Sequence, residues 1–172
     1  MKKIVSYVLV GVLLLTVGCT SNIKEGVALL EEKKYEEAKV AFQADIEKEK
    51  NLEDAYQGLG IACFELQDYE NAAKAFELAL ENGTEENATI YCFLGATYIE
   101  LESYEKALKS YEKALKDEDI TNERKQEAWF NMIIVYENMG NWEDAKKLME
   151  KYKKAYPDDT RIEKEADFLE TR

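Results

Sequence analysis

The chain has 172 residues, 46% of them hydrophobic and 34% charged, with 23 basic against 36 acidic residues and a net charge of −13. So acidic a field repels phosphate backbones and anionic headgroups, which argues against nucleic-acid binding and favours basic partners. There is no histidine, the commonest general base and metal ligand, and no Gly-rich phosphate loop, nucleophile elbow or Cys-x-x-Cys pair. The sequence therefore reads as a non-enzyme, with no catalytic residue, cofactor, metal or small-molecule substrate expected.

The first element in chain order is a leader. Lys2 and Lys3 precede an uncharged, mostly apolar stretch from Ile4 to Val17. It falls short of the roughly 20 residues of a membrane span and has the length of a secretory h-region. Leu15-Thr16-Val17-Gly18-Cys19 comes next, with small Gly18 directly before a cysteine. This resembles a bacterial lipobox, departing from the usual pattern at Thr16, where Leu is common. The resemblance implies a signal peptide over 1–18 and attachment of diacylglyceryl and a fatty acid such as palmitate to Cys19. The alternative is an ordinary signal peptide or a short uncleaved anchor, with Cys19 incidental.

Removal of residues 1–18 leaves 21 basic and 36 acidic residues, a net charge of −15. Residues 19–21 would be the only spacer, holding the first helix close to the lipid. Thr20 is not the Asp that retains lipoproteins at an inner membrane, so a two-membrane cell would carry this chain on its outer membrane. A one-membrane cell would carry it on the outward face of the cell membrane.

From residue 22 onward a single motif repeats: an aromatic, then Ala three residues later, then a large apolar residue four further on. It reads Tyr35–Ala38–Phe42, Tyr69–Ala72–Phe76, Tyr104–Ala107–Tyr111 and Trp142–Ala145–Met149, with the alanines 34, 35 and 38 residues apart. A fixed period of this size marks stacked units sharing a continuous core. A second apolar pattern precedes each of the later motifs: Tyr56…Leu59-Gly60…Cys63, Tyr91…Leu94-Gly95…Tyr98 and Trp129…Met132-Ile133…Tyr136. Each unit is thus two amphipathic helices, and the small residues allow the pair to approach closely.

The punctuation agrees. Asp68, Ser103 and Asn141 are positioned to cap second helices, with Asn141…Asp144 as a capping-box variant. Asn82-Gly83 ends one helix, Thr84 is placed to cap the next, and Pro157 closes the last pair. Thr160…Glu163 reads as a further capping box, followed by Ile162, Ala166 and Leu169 on one face of a terminal helix.

These motifs resemble the tetratricopeptide repeat (TPR) family. The resemblance implies an all-α, right-handed α-solenoid of about four helix pairs, at 22–52, 53–87, 88–122 and 123–157, with a C-terminal capping helix over 158–172. No linker or low-complexity tract marks a boundary inside 22–172. The departures are Asp45 in place of a small alanine, Ile133 in place of a glycine, and an insertion from Asp117 to Arg124. That insertion opens like a calcium loop, but Asn122 and Ala128 stand where the turn Gly and the bidentate Glu would be needed. Cys63 and Cys92 fall on neighbouring first helices, offset by about 9 Å along the axes, beyond disulfide reach.

In this family the first helices line a groove for an extended peptide or a partner helix. Carried over, the groove would comprise Gln57, Ile61, Phe64, Cys92, Ala96, Ile99, Phe130 and Ile134, bordered by Asp54, Glu65, Glu100, Glu127 and Glu137. The basic clamp that holds acidic C-termini is absent from these positions, apart from Asn138 at the edge. The expected partner is an apolar and basic protein segment; the alternative is that the apolar row is buried in helix packing. The sequence is read as a membrane-anchored, extracytoplasmic adaptor or scaffold in assembly of envelope or surface complexes. Alternatively it is a chaperone-like or self-associating protein that shields apolar and basic exported clients.

Overall fold

The computed structural model describes residues 21–171. The leader, Cys19 and the proposed cleavage edge lie outside the described residues. Within them are nine helices and no strand: α1 (Ser21–Glu31), α2 (Tyr35–Ile46), α3 (Leu52–Glu65), α4 (Tyr69–Glu81), α5 (Ala88–Glu100), α6 (Tyr104–Ala114), α7 (Asn122–Asn138), α8 (Trp142–Ala155) and α9 (Arg161–Glu170). None of these is long and apolar enough to cross a membrane. The described residues form two compact units, 21–86 and 87–171, so the division falls between the second and third repeats.

In the first unit α1 packs on α2 and α3 on α4, with α2 also against α3. The motif explains the closeness of each pair. Ala38 and Ala72 are fully buried, and so are the rings of Phe42 and Phe76. A Cβ added at Gly60 would lie 2.6 Å from Phe76, and one at Gly26 2.7 Å from Phe42. Each ring therefore lies directly on the backbone of the preceding helix. Phe42 is held from a second side too, since a Cβ at Gly58 on α3 would come within 2.3 Å of it. Asp45, at a position expected to be small, is fully buried, and Asn22 Nδ2 donates to its carboxylate at 2.7 Å. A buried carboxylate is tolerated where it is hydrogen-bonded.

In the second unit α5 packs on α6, α7 on α8, α6 and α5 on α7, and α9 on α8. Gly95 and Tyr111 repeat the glycine-on-ring contact at 2.7 Å. The fourth pair does not. Ile133 replaces the glycine and Met149 the aromatic, and both are buried in one cluster with Tyr152, Ile162, Ala166 and Leu169. The outer face of α9 carries exposed Glu163, Lys164 and Asp167, as a terminal cap requires.

Each turn from a first to a second helix is built alike. Lys33, Gln67, Glu102 and Gly140 have φ of 59°, 61°, 53° and 72°. The next residue donates its backbone N–H to the carbonyl five residues back, from Lys34 to Leu29, Asp68 to Cys63, Ser103 to Tyr98 and Asn141 to Tyr136. This is the Schellman closure of a helix. It needs a left-handed residue, and only the fourth turn supplies a glycine.

The caps differ in part from the sequence reading. Asn141 accepts from the Asp144 N–H at 3.4 Å as expected. Asp68 and Ser103 make no side-chain cap bond; Asp68 instead accepts from the side chains of Asn71 and Lys39. Asn87, rather than Thr84, caps α5, accepting from Thr89 and Ile90, while the Thr84 hydroxyl donates to the Glu53 carbonyl. Asp117 of the insertion accepts the Ala88 N–H at 2.6 Å, and Thr121 caps α7. Thr160 makes no side-chain cap bond to α9. The adjacent Asp159 accepts the Arg161 N–H at 3.0 Å in its place.

Candidate functional site on the first helices

In the first unit the candidate residues lie on α3. Gln57 and Ile61 are buried, leaving Phe64 half-buried, edge-on to Tyr69 with ring centres 5.7 Å apart. Asp54 and Glu65 are both partly exposed. Burial pushes the Asp54 carboxyl up, with help from Glu53. Burial likewise raises the Tyr35 phenol, and the Glu65 carboxylate beside it adds to the effect. Part-exposed aromatic surface thus stands beside a carboxylate, with no lysine or arginine among the candidate positions.

In the second unit Ala96, Ile99 and Ile134 are buried, while Cys92 and Phe130 are half-buried. Of the eight groove candidates, five are thus mainly packing residues, and Phe64, Cys92 and Phe130 offer side-chain surface. Among the acids Glu100 is exposed and Glu127 partly so, but Glu137 is buried at 7% exposure and does not border anything open. The reason is position: Glu137 shares the α7 stretch in which Ile133, Ile134 and Val135 are buried too. Cys63 and Cys92 are free thiols. Burial, opposed by Arg124, pushes the Cys92 thiol up to about 12, so it is protonated and unreactive at neutral pH.

The structure adds two residues that the sequence reading missed. Asn131 is 2% exposed, donates from Nδ2 to the Tyr111 hydroxyl at 3.0 Å, and has an Oδ1 that accepts from no donor among the described residues. Its signal in the sequence was a lone amide between Phe130 and Met132. Burial drives the Tyr111 phenol well above its ordinary value, and the Asn131 bond partly offsets this. The second is Arg161. It follows Asp159, whose carboxyl is held far below the usual range by the Arg161 guanidinium first of all, against burial, and by the Tyr152 hydroxyl. Asp159 also accepts from Gln126 Nε2 at 2.7 Å. From there Arg161 reaches Glu127 at 3.1 Å, and its guanidinium carbon lies 4.8 Å from the centre of the Phe130 ring. The basic residue missing from the candidate positions is therefore supplied by the terminal segment.

Sequence profiles of the tetratricopeptide repeat match residues 52–117 and 94–164. Residues 52–164 are tetratricopeptide repeats, and the chain is a protein-interaction scaffold of that type. Among solved structures, YrrB, described as a TPR protein with an unusual peptide-binding site, is 25% identical. It superposes with a TM-score of 0.68 over 79% of this chain and 68% of its own. MamA from Desulfovibrio magneticus RS-1, in a form spanning residue 41 to its end, is 19% identical, with a TM-score of 0.75 over 89% of this chain and 86% of its own. A MamA RS-1 double mutant gives 20% identity and a TM-score of 0.76, over 89% and 85%. No curated protein matches the sequence. The expected fold class, all-α helix pairs of tetratricopeptide type with a terminal cap, is the one observed.

Proposed function

We propose that this chain is a lipid-anchored, extracytoplasmic adaptor that binds an apolar and basic segment of a partner protein in assembly of an envelope or surface complex. The observation that carries the binding reading is half-buried aromatic surface with part-exposed carboxylates on first helices: Phe64 and Glu65 are both part-exposed on α3, and Phe130 and Glu127 of α7 meet one guanidinium. An aromatic face beside an anion suits a cation on an apolar backbone. The acidic net charge of −13 adds long-range attraction for such a segment. The peptide-binding site described for YrrB supports a peptide ligand by analogy.

Anchoring rests on the sequence alone, on the Lys2-Lys3 start, the apolar stretch and the Gly18-Cys19 edge. Two measurements test the proposal. An amidated peptide of alternating leucine and arginine should bind, more weakly as salt rises, while a leucine–glutamate peptide should not. Cys19→Ala should move the chain from the detergent to the aqueous phase. Preference for the acidic peptide would overturn the partner class, and detergent retention of Cys19→Ala at precursor size would mean an uncleaved anchor.

A further inference from the structure

We propose that Glu127 and the Phe130 ring form a guanidinium-binding subsite, that Arg161 of the same chain fills it, and that an arginine of the partner enters by displacing Arg161. The inference rests on the partner being apolar and basic.

Glu127 and Phe130 are three residues apart on α7, so their side chains share one face. Arg161 Nη1 donates to Glu127 Oε2 at 3.1 Å while the guanidinium carbon lies 4.8 Å from the centre of the Phe130 ring. A ring face beside a carboxylate matches a planar cation with forked donors, and matches the compact ammonium of lysine less well. The subsite is therefore specific for arginine, and this structure already contains its ligand in cis.

The contact is also built to open. The Arg161 side chain is 42% exposed and that of Glu127 23%, and an ion pair so accessible to water is weak. The remaining donors of Arg161, Nε and Nη2, reach Asp159 at 2.7–3.1 Å, and Nη2 also reaches the Tyr152 hydroxyl at 3.3 Å. Asp159 is also held by the Tyr152 hydroxyl and, independently of Arg161, by Gln126 Nε2 at 2.7 Å. Helix α9 has its own apolar anchors in Ile162, Ala166 and Leu169. Arg161 can thus give up Glu127 and the ring while Asp159 keeps its place and α9 stays docked. A site occupied in cis binds an outside ligand less tightly, by the fraction of time it stands open.

The test uses the full chain in detergent and the leucine–arginine peptide, with leucine–lysine and leucine–glutamate peptides as controls. Saturating leucine–arginine peptide should shift the Arg161 Nε–H resonance and speed its exchange with water. Arg161→Gln should bind this peptide about tenfold more tightly than the parent chain, with a smaller gain for leucine–lysine. Arg161→Lys should fall between, and adding Glu127→Gln should erase the gain. Should Arg161→Gln loosen α9, seen as lost helicity, the resonance of the unaltered chain decides alone. An unmoved Arg161 resonance at saturation, or equal or weaker binding by a folded Arg161→Gln, overturns the subsite and leaves the partner class standing. Binding of the leucine–glutamate peptide alone overturns the partner class, and the subsite with it.

Discussion

The second and fourth helix pairs carry the same motif and solve its packing in opposite ways. In α3/α4 a glycine faces an aromatic ring: Gly60 leaves room for Phe76, whose ring would lie 2.6 Å from an added Cβ. In α7/α8 the same two positions hold Ile133 and Met149, both buried. Volume moves from one helix to the other while the shared core stays filled. Met is suited to this, since its flexible side chain fits beside a branched one. What the repeat constrains is thus the sum of two positions and neither one alone. The fourth pair also differs in carrying α9 on its flank, and this changes its aromatic surface. Phe64 of α3 is half-buried, edge-on to Tyr69, whereas Phe130 of α7 lies against Tyr152 with Arg161 over its face.

The largest expected effect breaks the first half of that comparison. Gly60→Ile forces a branched side chain into the Phe76 ring and should cost about 3 kcal/mol. Phe76→Met alone should cost about 1–3 kcal/mol through the space it leaves. Combined, the two reproduce the fourth pair, and the double variant should be more stable than additivity allows by about 1–3 kcal/mol, read from urea midpoints. Strict additivity would mean that the two positions do not exchange volume.

Next in size is the anchor peculiar to the fourth pair. Asp159→Asn removes charge-assisted hydrogen bonds from Arg161, Gln126 and Tyr152 and should cost about 2 kcal/mol at neutral pH. The folded-state pKa of Asp159 lies below its unfolded value, so its stabilisation is complete above the ordinary carboxylate value of about 4. It is lost as pH falls from there through the lowered value. The gap between parent and Asp159→Asn in thermal melts should narrow progressively below about pH 4. A gap independent of pH would assign the loss to packing.

The smallest effects concern the turns. Gln67 and Gly140 hold the same left-handed position, at φ of 61° and 72°. Gln67→Gly should stabilise by about 0.5–1 kcal/mol, and Gly140→Ala should destabilise by about 1 kcal/mol. Opposite signs at equivalent positions, measured by melting temperature, are the expected result.

Period and pairing were legible because they are repeated. Four aromatic–alanine motifs, with Gly26, Gly60 and Gly95 at the same offset before three of them, define helices, register and the close approach of each pair. Turn conformation was less so, since Lys33, Gln67 and Glu102 adopt left-handed φ without being glycine. Their geometry is imposed by the Schellman bonds on either side. Capping by Asp159 in place of Thr160 was hidden for a related reason: both residues can cap, and only the neighbouring Tyr152 and Gln126 choose between them. In the candidate site, Phe64 and Glu65 are part-exposed on α3, as a surface role would require. The sequence could not show that Ile61, Ile99 and Ile134 are buried, because groove-facing and core-facing positions on a first helix are adjacent and equally apolar. Arg161 lay beyond the four helix pairs read from the sequence, the last of which ends at residue 157.

Phe64→Ala tests the central claim most directly, because Phe64 carries part-exposed aromatic surface on a first helix in the unit that lacks Arg161. Affinity for the leucine–arginine peptide should fall by about 2 kcal/mol, the loss typical of a central aromatic anchor, with the melting temperature little changed. Phe130→Ala, run beside it, should lower stability as well, since Phe130 packs against the core of its unit. Unaltered affinity in a folded Phe64→Ala, with the peptide still binding stoichiometrically, would contradict the claim that the first helix α3 carries a binding surface.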